Sequence, residues 1–94
     1  MTLDAVRNEI REIDERIIDL IAERQRLAVR IARIKQEEGL SIHDPAQRKL
    51  VLDRVFAYAV ENRIDPVAVR SVFELLVGMS EERQRECSGD GNLP

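Results

Sequence analysis

Aromatic side chains make up only 3% of this 94-residue chain, with no tryptophan, one tyrosine and two phenylalanines, so its core has to come from the aliphatic residues behind its 44% hydrophobic content. Strand signals are missing as well: no alternating β-branched run occurs, and there is no Asn-Gly hairpin turn. The chain therefore reads as all-helical. A single cysteine, Cys87, excludes an intramolecular disulfide, and its place beside a Gly-rich tail argues against metal binding or catalysis. There is no apolar run of membrane-spanning length, and the first residues, MTLDAVRNEI, lack the apolar core of a secretory signal. A soluble cytoplasmic protein with no membrane partner is expected. The net charge of -3 and pI near 5.2 lack the basic excess that phosphate backbones require, which excludes nucleic acid as a partner.

Glycine and proline are absent from residues 3–38, and what fills that stretch organises the rest of the chain. Leu3, Val6, Ile10, Ile13, Ile17, Leu20, Arg24, Leu27, Ile31 and Ile34 alternate at spacings of three and four, the seam of a helix sustained for over four heptads. Such a helix is roughly 54 Å long at 1.5 Å per residue, whereas a compact chain of this size has a radius of gyration of about 12 Å. It outgrows its own domain, and a small domain commonly makes up for a modest core by oligomerising. A partner chain is expected. An ordinary coiled-coil or bundle helix would explain the stripe, except at Arg24, where a cation stands in place of an apolar residue. Buried charge is tolerated only when something pairs with it.

Helix ends are marked by their caps. Thr2 and Asp4 suit the N-terminus of the first helix, and Gly39 closes it near Glu38. Asp44-Pro45 opens a second helix running to about Asn62, with Val51, Leu52, Val55, Phe56 and Ala59 on its apolar face. Asp65-Pro66 repeats the signal for a third helix to about Glu86, with Val69, Val72, Phe73, Leu76 and Met79 facing inward. Residues 1–86 read as one helical domain without repeats or linkers, and 87–94 as a disordered tail.

Several polar residues lie on these apolar faces. Lys35 follows Arg24 by eleven residues, close to three whole turns, so both project from one side about 16 Å apart and could grip opposite ends of one small molecule. A solvated lysine near a helix C-terminus would look the same. Ser80 and Gln84 continue the Val69–Phe73–Leu76 face, where the stripe turns polar without turning charged; a fading stripe in an exposed last turn is the plainer reading. Asp44 is an N-cap that would also stand at the mouth of any pocket between the helices. His43 is a loop residue without a second ligand nearby and receives no role. Arg7 lies about 25 Å from Arg24 along the helix and about 100° round it, too far to serve the same site in one chain. In an antiparallel dimer of long helices it could reach the partner's site.

Taken together, Arg7 in AVRNEIREID, Arg24 in LIAERQRLAVRIARIK ending at Lys35, Asp44 in HDP, and Ser80 with Gln84 resemble the all-helical AroQ class of chorismate mutase over residues 3–86. The resemblance implies an intertwined homodimer of three-helix chains, one helix long and two shorter. Each active site would be completed by an arginine from the other protomer, the role it gives Arg7. It implies isomerisation of chorismate to prephenate with no cofactor and no metal. Arg24 and the partner's Arg7 would hold the two carboxylates, Lys35 and Gln84 the ether oxygen of the breaking bond, Asp44 the ring hydroxyl and Ser80 the ring carboxylate. Lys35, Gln84 and Arg24 would thus carry the catalysis. The pattern breaks once: the family's usual Arg then Glu early in the second helix are Gln47 and Arg48 here. Either Asp44 binds the hydroxyl alone, or Arg48 donates to it, or the preferred ligand differs. Isochorismate-pyruvate lyase and aminodeoxychorismate mutase share the scaffold and its cationic clamps. A non-catalytic dimerisation module, with Arg24 setting register, is the reading from a different class.

Overall fold

In a computed structural model that describes residues 1–88, the chain forms three helices and, among the described residues, no strand. They are α1 (Leu3–Glu38), α2 (Pro45–Glu61) and α3 (Pro66–Ser88). Each boundary has a local cause. Thr2 Oγ1 accepts from the amide of Ala5 at 3.1 Å, and Asp44 Oδ1 accepts from the amide of Gln47 at 3.1 Å, each satisfying a donor that the first turn leaves free. Asp65 Oδ1 does the same for Val67 at 3.0 Å at the start of α3.

Two helix C-termini close in the same way with different residues. Gly39 takes a left-handed conformation (φ 69°), so that its amide reaches Gln36 O at 3.4 Å and the amide of Leu40 reaches Lys35 O at 2.8 Å. After α2 the left-handed position is Arg63 (φ 59°), with its amide on Val60 O and that of Ile64 on Ala59 O, both at 3.1 Å. This second closure was not marked in the sequence, because an arginine gives no sign of positive φ. Helix α3 runs to Ser88, two residues beyond the expected end, and Ser88 Oγ donates to Arg85 O at 3.1 Å there. The rest of the expected tail, 89–94, lies outside the described residues.

Helix α3 is the middle of the structure. It packs against α1 on one side and α2 on the other, while α1 and α2 make no close backbone approach to each other. On the α1 side the buried residues are Ala28 and Ala32, each 1% exposed, whose small side chains let the backbones come close. Between α2 and α3 lie Val51, Val55 and Val77, with Val69 and Phe73 packed against them. The inward arc of α3 is therefore not quite the expected one: Val77 is buried, whereas Val72 and Met79 are 54% and 41% exposed. A helix with two neighbours buries the arc between them, and that arc is centred on Phe73, Leu76, Val77 and Ser80.

The long seam of α1 finds little cover among the described residues. Every residue from 7 to 20 is exposed, and Ile10, Ile13, Ile17, Leu20, Leu27, Ile31 and Ile34 keep 41–60% of their surface open. The chain extends 54 Å along its longest axis, with a radius of gyration of 16.6 Å against about 12 Å for a compact chain of this length.

The two left-handed closures make opposite predictions. Gly39→Ala places a Cβ on a left-handed residue and is expected to lower stability by about 1–2 kcal/mol. Arg63→Gly removes that penalty and is expected to raise it by up to about 1 kcal/mol, less the extra entropy of glycine in the unfolded chain. Thermal or urea unfolding of the two variants beside the parent checks both signs.

Candidate active site

Because α1 and α2 flank α3 without meeting, a gap opens over α3, and this gap is a cavity of about 450 Å³. Helix α1 supplies Arg24 and Lys35 to its wall, the loop and the start of α2 supply Asp44 and Arg48, and α3 supplies Ser80 and Gln84. These six are the polar residues that the sequence places on one site, and the fold brings all of them together. Arg7 stays away, as its distance along α1 requires: it is exposed and lies 4.0 Å from Asp4 on its own helix.

Lys35 is the junction. Its Nζ donates to Ile42 O at 2.8 Å and to Gln84 Oε1 at 2.9 Å, tying α1 to the following loop and to α3. Gln84 in turn donates from Nε2 to Ser80 Oγ at 3.2 Å. Gln84 is 5% exposed, and every buried side-chain polar atom among the described residues has a partner. An ammonium has three N–H bonds, so after these two contacts Lys35 has one donor left for a ligand. The amide of Gln84 likewise keeps one N–H.

Arg24 is half-buried and has no counter-ion among the described residues. Its Nη1 donates to Leu76 O at 3.3 Å, and its guanidinium lies 5.9 Å from the Phe73 ring centroid, within cation–π range. A carbonyl and a ring orient the cation but leave its charge uncompensated, which makes this end of the cavity a place for an anion. Arg48 is half-buried on the cavity wall, with no hydrogen bond or ion pair among the described residues, and it is not paired with Asp44.

The sequence reading missed three contributors. Arg54 lines the cavity from α2, following Arg48 and Val51 at intervals of three, a spacing that does mark one edge of a helix. Glu81 also reaches the cavity, 16% exposed in its side chain, with Oε2 3.8 Å from both His43 Nδ1 and Arg85 Nη2. His43, given no role before, thus borders the site through Glu81. The third is the Ile42 carbonyl, a backbone group that no side-chain pattern advertises. In sum, the wall carries the cations Arg24, Lys35, Arg48 and Arg54 against the carboxylates Asp44 and Glu81, an excess of positive charge suited to an anion with more than one acidic group. No cluster of acidic, His and Cys side chains suited to a metal occurs among the described residues.

A second, apolar hollow of about 560 Å³ lies on the other side of Arg24, between the α1 seam at Ile17, Leu20 and Leu27 and the α3 residues Val72, Phe73 and Leu76. Arg24 therefore stands between a polar cavity and an uncovered hydrophobic surface.

Residues 6–85 match the family described as chorismate mutase type II. The chorismate mutase of Methanocaldococcus jannaschii is 34% identical over 84 residues, covering 89% of this chain and 85% of that protein. A 4-amino-4-deoxychorismate mutase of Streptomyces venezuelae is 29% identical over 75 residues, covering 80% of this chain and 73% of that protein. A bifunctional chorismate mutase/prephenate dehydratase of Buchnera aphidicola is 29% identical over 80 residues, which is 85% of this chain but 21% of that longer protein.

The Lys35 junction leads to a stability prediction independent of any ligand. Lys35→Ala leaves Ile42 O and the buried Gln84 Oε1 without their donor, and is expected to lower the unfolding free energy by about 1–3 kcal/mol. Urea denaturation of the variant and parent measures it.

Proposed function

The chain belongs to the chorismate mutase type II family and is an isomerase of that kind, and we propose that it converts chorismate to prephenate with the following division of labour. The observation that carries this assignment is the arrangement of donors in the cavity: an unpaired guanidinium at one end, and at the other a lysine and a buried glutamine, each with one N–H uncommitted. The reaction is a unimolecular [3,3] rearrangement in which a C–O bond breaks as a C–C bond forms, so it calls for no nucleophile and no proton carrier. What it does call for is a substrate held in a near-attack shape and donors aimed at the negative charge that grows on the ether oxygen. Arg24 takes one carboxylate, its planar fork donating two parallel bonds. The free N–H groups of Lys35 and Gln84 converge on the ether oxygen, where they act more strongly as the bond breaks. Ser80 borders the ring carboxylate, and Asp44 accepts from the ring hydroxyl.

The working form is an intertwined homodimer. The uncovered α1 seam and the apolar hollow beside Arg24 support this, since both are surfaces of the kind that a second copy of the long helix would bury. In that arrangement the partner's Arg7 supplies the second carboxylate clamp. Among the described residues no helix is long and apolar enough to cross a membrane.

The Streptomyces relative favours a second reading, the amino analogue as substrate. Arg48 opposes it. A guanidinium only donates and is always charged, so it repels an ammonium on the ring, whereas a hydroxyl can accept from it. Assays following chorismate and isochorismate disappearance with product identification test the assignment: prephenate from chorismate is expected, salicylate with pyruvate from isochorismate would mark a lyase, and no turnover of either would leave a dimerisation module.

Arg24→Ala and Arg7→Ala are each expected to abolish most turnover, and co-refolding the two inactive variants is expected to restore part of it, because one site in the mixed dimer keeps both arginines. Complete failure to complement, with a dimer seen by light scattering, would mean that Arg7 does not act across the interface. At the second helix, Arg48→Glu provides an acceptor for the ring hydroxyl and is expected to raise kcat/KM for chorismate by roughly one to two orders of magnitude, mainly through KM. Asp44→Ala should lower it in the parent. Loss of activity in a folded Arg48→Glu dimer would instead place Arg48 among the groups that bind substrate.

A further inference from the structure

The amide of Gln84 can face only one way. Its Oε1 lies 2.9 Å from the Lys35 ammonium, and turning the group over would set NH₂ against a cation that has only donors. With that end fixed, Nε2 must donate to Ser80 Oγ, and Ser80 must accept. Donation thus runs in one direction, from Lys35 to Gln84 to Ser80.

The serine itself departs from the usual behaviour of serine in a helix. Ser71 Oγ donates to the carbonyl four residues earlier, Val67 O, at 3.1 Å, the common back-bond that ties a helical hydroxyl to its own backbone. Ser80 makes no such bond. The carbonyl four residues before it, Leu76 O, accepts Arg24 Nη1 at 3.3 Å instead, and the one hydrogen bond of the Ser80 side chain among the described residues is as acceptor to Gln84. Its hydroxyl proton is left without an acceptor among the described residues, on a side chain that lines the cavity.

We propose that Ser80 is a positioning residue: its oxygen holds one N–H of Gln84, fixes the amide plane from the end opposite Lys35, and so leaves the second N–H as a single donor of set direction. This goes beyond contact with a substrate carboxylate and rests, for its effect on rate, on the reaction proposed above. Held at both ends, Gln84 needs no reorientation when charge develops on its target. Released at one end, the amide can swing about the Lys35 contact, and its donor is no longer aimed.

Two readouts test the proposal. The first uses the free protein and no substrate: the side-chain NH₂ protons of Gln84, followed by ¹⁵N NMR, are expected to exchange slowly with solvent in the parent and in Ser80→Thr, which keeps the hydroxyl, and much faster in Ser80→Ala. The second is a double-mutant cycle on chorismate turnover. Ser80→Ala is expected to lower kcat roughly tenfold in the parent, the size of one misdirected hydrogen bond, and far less in a Gln84→Ala background, with Ser80→Thr recovering most of the loss. Unchanged Gln84 amide exchange in a folded Ser80→Ala protein would overturn the proposal, as would an equal loss of kcat in both backgrounds. Should the protein turn over no chorismate at all, the proposed reaction fails while the NMR comparison still decides the role of Ser80.

Discussion

Three segments of the chain meet at one ammonium group. Lys35 belongs to the last turns of α1, its first acceptor to the loop that follows and its second to α3, forty-nine residues further on. The contact with Ile42 O sets how the chain leaves α1, and hence where Asp44 begins α2. The contact with Gln84 sets the register of α1 on α3. If the ammonium were merely solvated, the loop and the far end of α3 would each lose an anchor, and the cavity would lose the corner where its walls join. A lysine near a helix C-terminus is favourable in any case, beside the partial negative charge of the helix end. Its structural use here adds to that preference without conflicting with it.

The opposite end of the cavity follows a different logic. Arg24 gets direction from Leu76 O and the face of Phe73, but no neutralisation from any described residue. A half-buried cation without a counter-ion costs stability that an apolar residue on the same seam would not. The chain bears that cost where a bound carboxylate would remove it, so the site is least satisfied when empty. The small residues on the neighbouring face have a part in this. Ala28 and Ala32 allow α1 and α3 to approach closely, and it is this approach that brings Arg24 within reach of the α3 backbone.

The helices were legible in the sequence because their ends carry local chemistry. A threonine, two Asp-Pro pairs and a glycine each satisfy or close a terminus by contacts within a few residues, and the bounds of α1 came out as Leu3–Glu38 from these alone. Of the candidate site, Arg24 was legible as a cation on an otherwise apolar seam, whereas Lys35, Ser80 and Gln84 each had a plainer reading by themselves and were joined to it through the family resemblance. What could not be read depends on relations between elements. Which arc of α3 turns inward is decided by the angle between its two neighbours, so Val77 took the place expected for Val72 and Met79. Arg54 and Glu81 sit among many charged residues of the same kinds, and only the opening between α1 and α2 sets them apart from a solvated surface. Arg63 was hidden for the opposite reason, as a residue type that gives no local hint of its backbone conformation.

The division of the walls has a consequence for how such a site can change. Lys35, Gln84 and Ser80 form one chain of hydrogen bonds, and Arg24 is held separately by Leu76 O; all four stand on α1 and α3. The α2 wall is different. Gln47, Arg48 and Arg54 face the same cavity, yet the side chains of Arg48 and Arg54 make no hydrogen bond or ion pair among the described residues. Substitution on α1 or α3 therefore disturbs several partners at once, whereas substitution on α2 alters what the cavity presents to a ligand and leaves the donor array standing. A scaffold built this way can keep one reaction core while the recognition of a ring substituent drifts. The departure at Gln47 and Arg48 falls on the wall where the structure imposes the fewest constraints.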